Sequence, residues 1–101
     1  MFKVIGIIKR PAGMDFDAFR QWWLTEHAPK VQAWPGLVRY SINLATTPDQ
    51  AFDGVAEVWF ESRAAMESVF DTPAGKRARE SATASASSIA ILMTEEHRIV
   101  E

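Results

Sequence analysis

Residues 2–9 read Phe-Lys-Val-Ile-Gly-Ile-Ile-Lys, an apolar run rich in β-branched side chains that stops at Pro11 and Gly13. Such residues favour extended backbone, and Pro and Gly punctuate it, so the run is a strand. Its apolarity is nearly continuous rather than alternating, which is the pattern of a strand covered on both faces. Gly6, mid-strand, suggests close approach by another group.

Asp15 is a good N-cap for a helix starting near Phe16. Phe16, Phe19, Trp23 and His27 follow at spacings of three or four, so they share one face, with Trp22 at its edge. Pro29 disfavours helical geometry at Ala28, which ends the regular helix near His27, with a further turn through Val31 to Trp34. Pro35-Gly36 is a turn. A second helical pattern covers 61–70, with Ala65, Met66, Val69 and Phe70 on its apolar side. Pro73 starts a short helix to about Ser81, and the small polar stretch 81–88 reads as a loop or frayed end.

Three further strands complete the pattern. In 37–45, Val38, Tyr40, Ile42 and Leu44 face one way and Arg39, Ser41 and Asn43 the other. In 54–61, Ala56, Val58 and Phe60 oppose Val55, Glu57 and Trp59; the last strand is 88–94. The order is β-α-β-β-α-β, a single α+β domain over 1–101 with helices on one face of a four-stranded antiparallel sheet. The other face would leave Val55 and Trp59 exposed, beside an Arg39–Glu57 pair. A patch of that size is unusual on a monomer, and a second copy packed face to face would bury it. A homodimer through the sheet face, a dimeric α/β barrel, is expected.

Several function classes are excluded. The net charge is −2 with no basic stripe, which gives nucleic-acid binding no electrostatic support. With no cysteine, thiolate chemistry and Cys-based metal sites are absent. His27 and His97 are far apart and lack metal-ligand spacing, and no P-loop or G-x-S-x-G elbow occurs, so no metal and no cofactor are expected. No apolar stretch approaches the ~20 residues of a membrane span, and the N-terminus lacks a signal-peptide layout; no membrane partner and a cytoplasmic location follow as expectations.

His27 and Tyr40 are the residues with chemistry to offer. Histidine is the usual acid–base group near neutral pH; a helix C-terminus would favour its charged form, and burial would oppose it. Tyr40 lies at the same level of the sheet, where its phenol could donate to a developing oxyanion. The two are expected to converge on an apolar cavity walled by Phe19, Trp23, Val58 and Phe60. Asp53, before Gly54, reads as a turn residue.

The stretch FRQWWLTEHAPKVQAWPGLVRYSIN (19–43) resembles the EthD domain family, with Trp22-Trp23, His27, Pro29, Pro35-Gly36 and Arg39-Tyr40 in order; DGVAEVWF (53–60) and TEEH (94–97) resemble its later signatures. The resemblance implies a ferredoxin-like fold paired as a dimeric barrel. It also implies acid–base roles for His27 and Tyr40, since the family's methylmuconolactone methylisomerases ascribe such work to a helix histidine and a strand tyrosine. Those enzymes carry a third-strand cysteine, where this chain has Val58, and a second histidine in the preceding loop, which this chain lacks. The family therefore narrows fold more than substrate.

The reading that follows is a cofactor-independent isomerase, dehydratase or cyclase acting on a small apolar lactone, polyketide or aromatic-catabolism intermediate. Two alternatives stand beside it. One is a non-catalytic ligand-binding protein of a catabolic operon. The other is an oxygenase or haem-linked barrel protein, with His27 as axial ligand.

Overall fold

The structure is a computed structural model that describes residues 1–100. Strand β1 (Phe2–Lys9) occupies the expected span, and its pairing explains its apolarity. The sheet order is β2-β3-β1-β4, where β2 is Leu37–Leu44, β3 is Gly54–Phe60 and β4 is Ser88–Glu95, and every neighbouring pair is antiparallel. β1 is therefore central. Directly opposed residues share a face, so Val4, Gly6 and Ile8 lie with Val58, Ala56 and Gly54 of β3 on the helix side.

The helical layer begins with α1 (Phe16–Trp22), capped by Asp15, whose carboxylate accepts from the Ala18 N–H at 2.9 Å. The helix does not end near His27. One widened π-type turn, Trp23–His27, closes with the Ala28 N–H donating to the Trp23 carbonyl, and α2 (Ala28–Gln32) continues the run. Pro29 follows directly on the widened turn, whose altered hydrogen-bond spacing carries the helix past the missing N–H. Thr25 Oγ1 donates back to the Gln21 carbonyl at 2.6 Å, a bond that bends helices. His27 consequently lies within a continuous helical run, and no helix C-terminus favours its charge.

The Pro35-Gly36 turn places Gly36 at φ 77°, a left-handed conformation that glycine adopts without strain. Beyond it, Leu37 and Arg39 pair with Phe60 and Trp59, and a bulge intervenes. Val38 is the extra residue and is 55% exposed, so the inward alternation starts with Leu37 rather than Val38. Ser62 caps α3 (Arg63–Ser68), which tightens into a 3₁₀ turn at Val69–Asp71. Thr72 then caps α4 (Pro73–Ser85) by accepting from the Gly75 N–H.

α4 runs four residues past the expected end, through the stretch read as a loop. Ala78 and Ala82, four apart, are buried against the core, and this packing outweighs the weak helix propensity of the Ser and Thr residues. Buried apolar side chains form two adjoining clusters, one centred on Phe60, Trp34 and Val69, the other on Phe19, Trp23 and Ile8.

The face away from the helices departs from expectation. Trp59 is only 5% exposed. Lys3 Nζ and the Arg39 guanidinium lie over its ring, at 4.7 and 4.6 Å, and its Nε1–H donates to Glu96 at 3.3 Å. Glu57 pairs with Lys3 at 2.7 Å rather than with Arg39. The apolar surface left on this face is Ile5, Ile7, Val55 and Leu92, of which Leu92 is 60% exposed. Asp53 is buried and holds Arg10 through a 2.6 Å ion pair and a 2.7 Å bond from the Arg10 N–H, a structural tie between two strand ends. No helix is long and apolar enough to cross a membrane among the described residues.

Candidate active site

A cavity of about 50 Å³ lies between the helix-side face of the sheet and the helices. It exists because small residues meet there: Gly6 and Ala56 on the sheet, Ala78 and Ala82 on α4. A Cβ built on Gly6 meets nothing within 4 Å, so the missing side chain opens space rather than admitting a close neighbour, contrary to the expectation from sequence. Val4, Ile8, Val58 and Ile91 supply apolar walls.

His27 lines this cavity and is 5% exposed. The widened turn decides its surroundings. A π-type turn brings residues five apart together, and Trp22 stacks on the His27 ring at 5.1 Å and 22°. Phe19 stacks in turn on Trp22 at 5.3 Å. His27 Nδ1 lies 3.1 Å from Ser81 Oγ on α4. Burial, with a smaller contribution from the nearby Lys30 charge, lowers the imidazole pKa to about 4, so the ring is neutral near pH 7.

The other expected site residues divide. Val58 lines the cavity; Phe19, Trp23, Phe60 and Tyr40 do not. Phe19 and Trp23 are fully buried beneath the helices, and Phe60 stacks on Trp34 at 6.1 Å. Tyr40 sits beside Val58, one strand away from the cavity wall. Its hydroxyl is buried without a hydrogen-bond partner, as is the Trp23 Nε1–H. Burial pushes the phenol up to about 12, and the Trp23 indole near it offsets part of that shift without aligning as a hydrogen bond. Tyr40 is thus a neutral donor at all ordinary pH values. His27 and Tyr40 do not converge on the cavity, because the Tyr40 hydroxyl is turned to the Trp23 indole in the core.

Ser81, Trp34 and Arg79 are cavity-side residues that the sequence did not single out. The spacing of Ala74, Ala78 and Ala82 at intervals of four was the available signal for α4 and hence for Ser81. Among the described residues, no three of His, Cys, Asp and Glu come together as they would around a metal ion.

Comparison with known proteins agrees with this architecture. No curated protein matches the sequence significantly. A crystal structure of an ethyl tert-butyl ether d (EthD) family protein from Bacillus halodurans superposes with a TM-score of 0.84 at 22% identity, covering 96% of this chain and 99% of that one. HapK from Hahella chejuensis gives 0.71 at 20% identity over 96% and 93% of the two chains. A dimeric protein of ferredoxin-like fold from Bacteroides fragilis gives 0.70 at 12% identity over 94% and 95%. These likenesses establish the ferredoxin-like α+β fold. The family model for the EthD domain matches residues 11–83, and the chain belongs to the EthD domain family.

Proposed function

We propose that this protein is a cofactor-independent acid–base enzyme, an isomerase, dehydratase or cyclase acting on a small lactone, polyketide or aromatic-catabolism intermediate. The observation that carries this reading is the state of His27: neutral, buried, held through Nδ1 by Ser81, and set in the wall of an apolar cavity. With Nδ1–H donating to Ser81, the Nε2 lone pair is free to take a proton from carbon next to a carbonyl and return it elsewhere. Apolar walls keep water from competing.

At about 50 Å³ the cavity is well below the ~300 Å³ of ordinary small-ligand pockets. Substrate entry therefore requires α4 to move from the sheet, at the rim formed by Phe70 and Arg79. Tyr40 would reach a substrate oxygen only once the space widens past Val58, so its share of catalysis is smaller than that of His27. Turnover of a panel of small lactones and polyketide fragments, with no cofactor added, tests the reading. His27→Ala is expected to lower turnover by ~10²–10⁴-fold. Full turnover by that variant contradicts the mechanism, and binding without turnover by the unaltered protein assigns it to ligand carriage instead.

The same reading includes a homodimer through the open sheet face, supported by the dimeric relative of like fold and by exposed Leu92. Leu92→Asp is expected to convert a dimer to monomers in light scattering; an unaltered protein that is already monomeric contradicts it.

A further inference from the structure

We infer that residues 80–86, the part of α4 beyond Arg79 together with Ala86, form a hinged lid over the cavity, latched shut by the Ser81–His27 contact. This deepens the reading above and rests on the same cavity. The first half of α4 is clamped. Thr72 Oγ1 donates to the Val69 carbonyl at 2.6 Å and accepts from the Gly75 N–H at 3.1 Å. Gly75 packs so closely on the Val69 carbonyl that no side chain fits there. The Arg79 guanidinium lies over the Phe70 ring, 5.5 Å from its centre. Beyond the helix, Ser87 fixes the chain to the end of β1. Its N–H donates to the Lys9 carbonyl at 2.9 Å, and its Oγ donates to the Arg10 carbonyl at 2.7 Å.

Between these anchors little holds the chain down. Of the seven side chains in 80–86 only Ala82 is buried, and it reaches no further than Cβ. The helical run across the cavity is held, by contrast, by Phe19, Trp23 and Val31. Ser81, Thr83 and Ser85 are weak helix formers. The helix ends at Ala86 in extended backbone, without a left-handed cap. Among the described residues, the one side-chain hydrogen bond from α4 to another element is Ser81–His27. Ala82 lines the cavity, whose floor is made by Gly6 and Ala56. Segments with few buried apolar contacts open before the rest of a protein does. Unwinding supplies the slack. Seven residues span ~10 Å as helix and up to ~23 Å extended, so the segment lifts without releasing either end. Closure returns Ser81 to His27, so the imidazole is oriented only when the cavity is shut.

Thiol labelling tests this without requiring turnover. The chain has no cysteine, so Gly6→Cys places a single thiol on the cavity floor. A Cβ there meets no atom within 4 Å, so this variant should fold as the parent does. Ala56→Cys reports independently from the neighbouring strand. Both thiols are expected to react with methyl methanethiolsulfonate ~10²-fold or more slower than in the unfolded chain. They should still react faster than the global unfolding equilibrium from urea titration allows. Ser81→Ala, added to either variant, is expected to speed labelling ~5–10-fold, and Ala84→Gly, exposed in the lid, ~5-fold. Arg77→Gly, exposed in the clamped half, should leave the rate unchanged at a similar loss of helix propensity. Labelling as fast as in the unfolded chain, labelling only at the level of global unfolding, indifference to Ser81→Ala, or equal acceleration by Arg77→Gly would each overturn the lid. Gated labelling in a protein with no turnover supports the lid and removes only the catalytic reading.

Discussion

His27 Nδ1 and Ser81 Oγ lie 3.1 Å apart, joining two helices across 54 positions of sequence. With Nδ1–H donating to the Ser81 hydroxyl, the contact leaves Nε2 as the nitrogen with the lone pair. Ser81→Ala removes the contact and leaves the ring in place, so kcat is expected to fall ~10-fold with KM little changed, the equivalent of one lost hydrogen bond. Nitrogen NMR of the His27 ring should show a mixture of tautomers in the variant and one tautomer in the parent, with Ser81→Thr restoring the parent spectrum. An unchanged spectrum in Ser81→Ala would remove Ser81 from the site.

His27 also links folding to pH. Its pKa is about 4 when folded, below the 6.5 of an unperturbed histidine, so the unfolded chain takes up a proton that the native state refuses. Its effect on stability is absent above about pH 6.5. As pH falls towards 4, stability is lost progressively, by at most about 3 kcal/mol. Urea unfolding at a series of pH values should show this slope in the parent and not in His27→Gln. For the same reason kcat/KM should stay level down to about pH 5 and fall only near 4; a midpoint near 6.5 would mean that the catalytic group is exposed.

Gly6 separates stability from function. A side chain there projects into the cavity and meets no protein atom within 4 Å. Gly6→Ala should preserve stability or raise it by ~0.5–1 kcal/mol, as removal of a mid-strand glycine allows. Gly6→Leu should fill the cavity and abolish binding and turnover in a protein that still melts cooperatively. Retained turnover in Gly6→Leu would place the active site elsewhere.

Gly54 is the opposite case. A Cβ there would stand 2.6 Å from the Asn43 carbonyl oxygen and 2.6 Å from Trp23 Cζ3, and both neighbours are held by the core. Gly54→Ala is expected to cost ~1–3 kcal/mol through overpacking, with a shift in tryptophan emission as Trp23 moves. An unchanged denaturation midpoint would show that Trp23 is free to yield.

Much of the fold was legible because it depends on local pattern. The β-branched run set β1, the Asp15 cap set the start of α1, and the aromatic stripe identified the buried face. What escaped depended on tertiary compensation. Pro29 read as a helix end, yet one widened turn carried the helix past it and brought Trp22 rather than Tyr40 to His27. The Ser-rich stretch read as a loop, yet burial of Ala82 holds it helical and delivers Ser81. A bulge at Val38 and the charged cover over Trp59 are likewise set by partners distant in sequence.

The most direct test of His27 as the proton-moving group is deuterium exchange at carbon next to a carbonyl. Small cyclic ketones and lactones would be incubated with protein in D₂O near neutral pH without added cofactor and followed by proton NMR. The parent should exchange the α-protons of at least one compound ~10²-fold or more faster than His27→Ala. Equal exchange by parent and variant, on a compound that the cavity binds, would contradict the assignment.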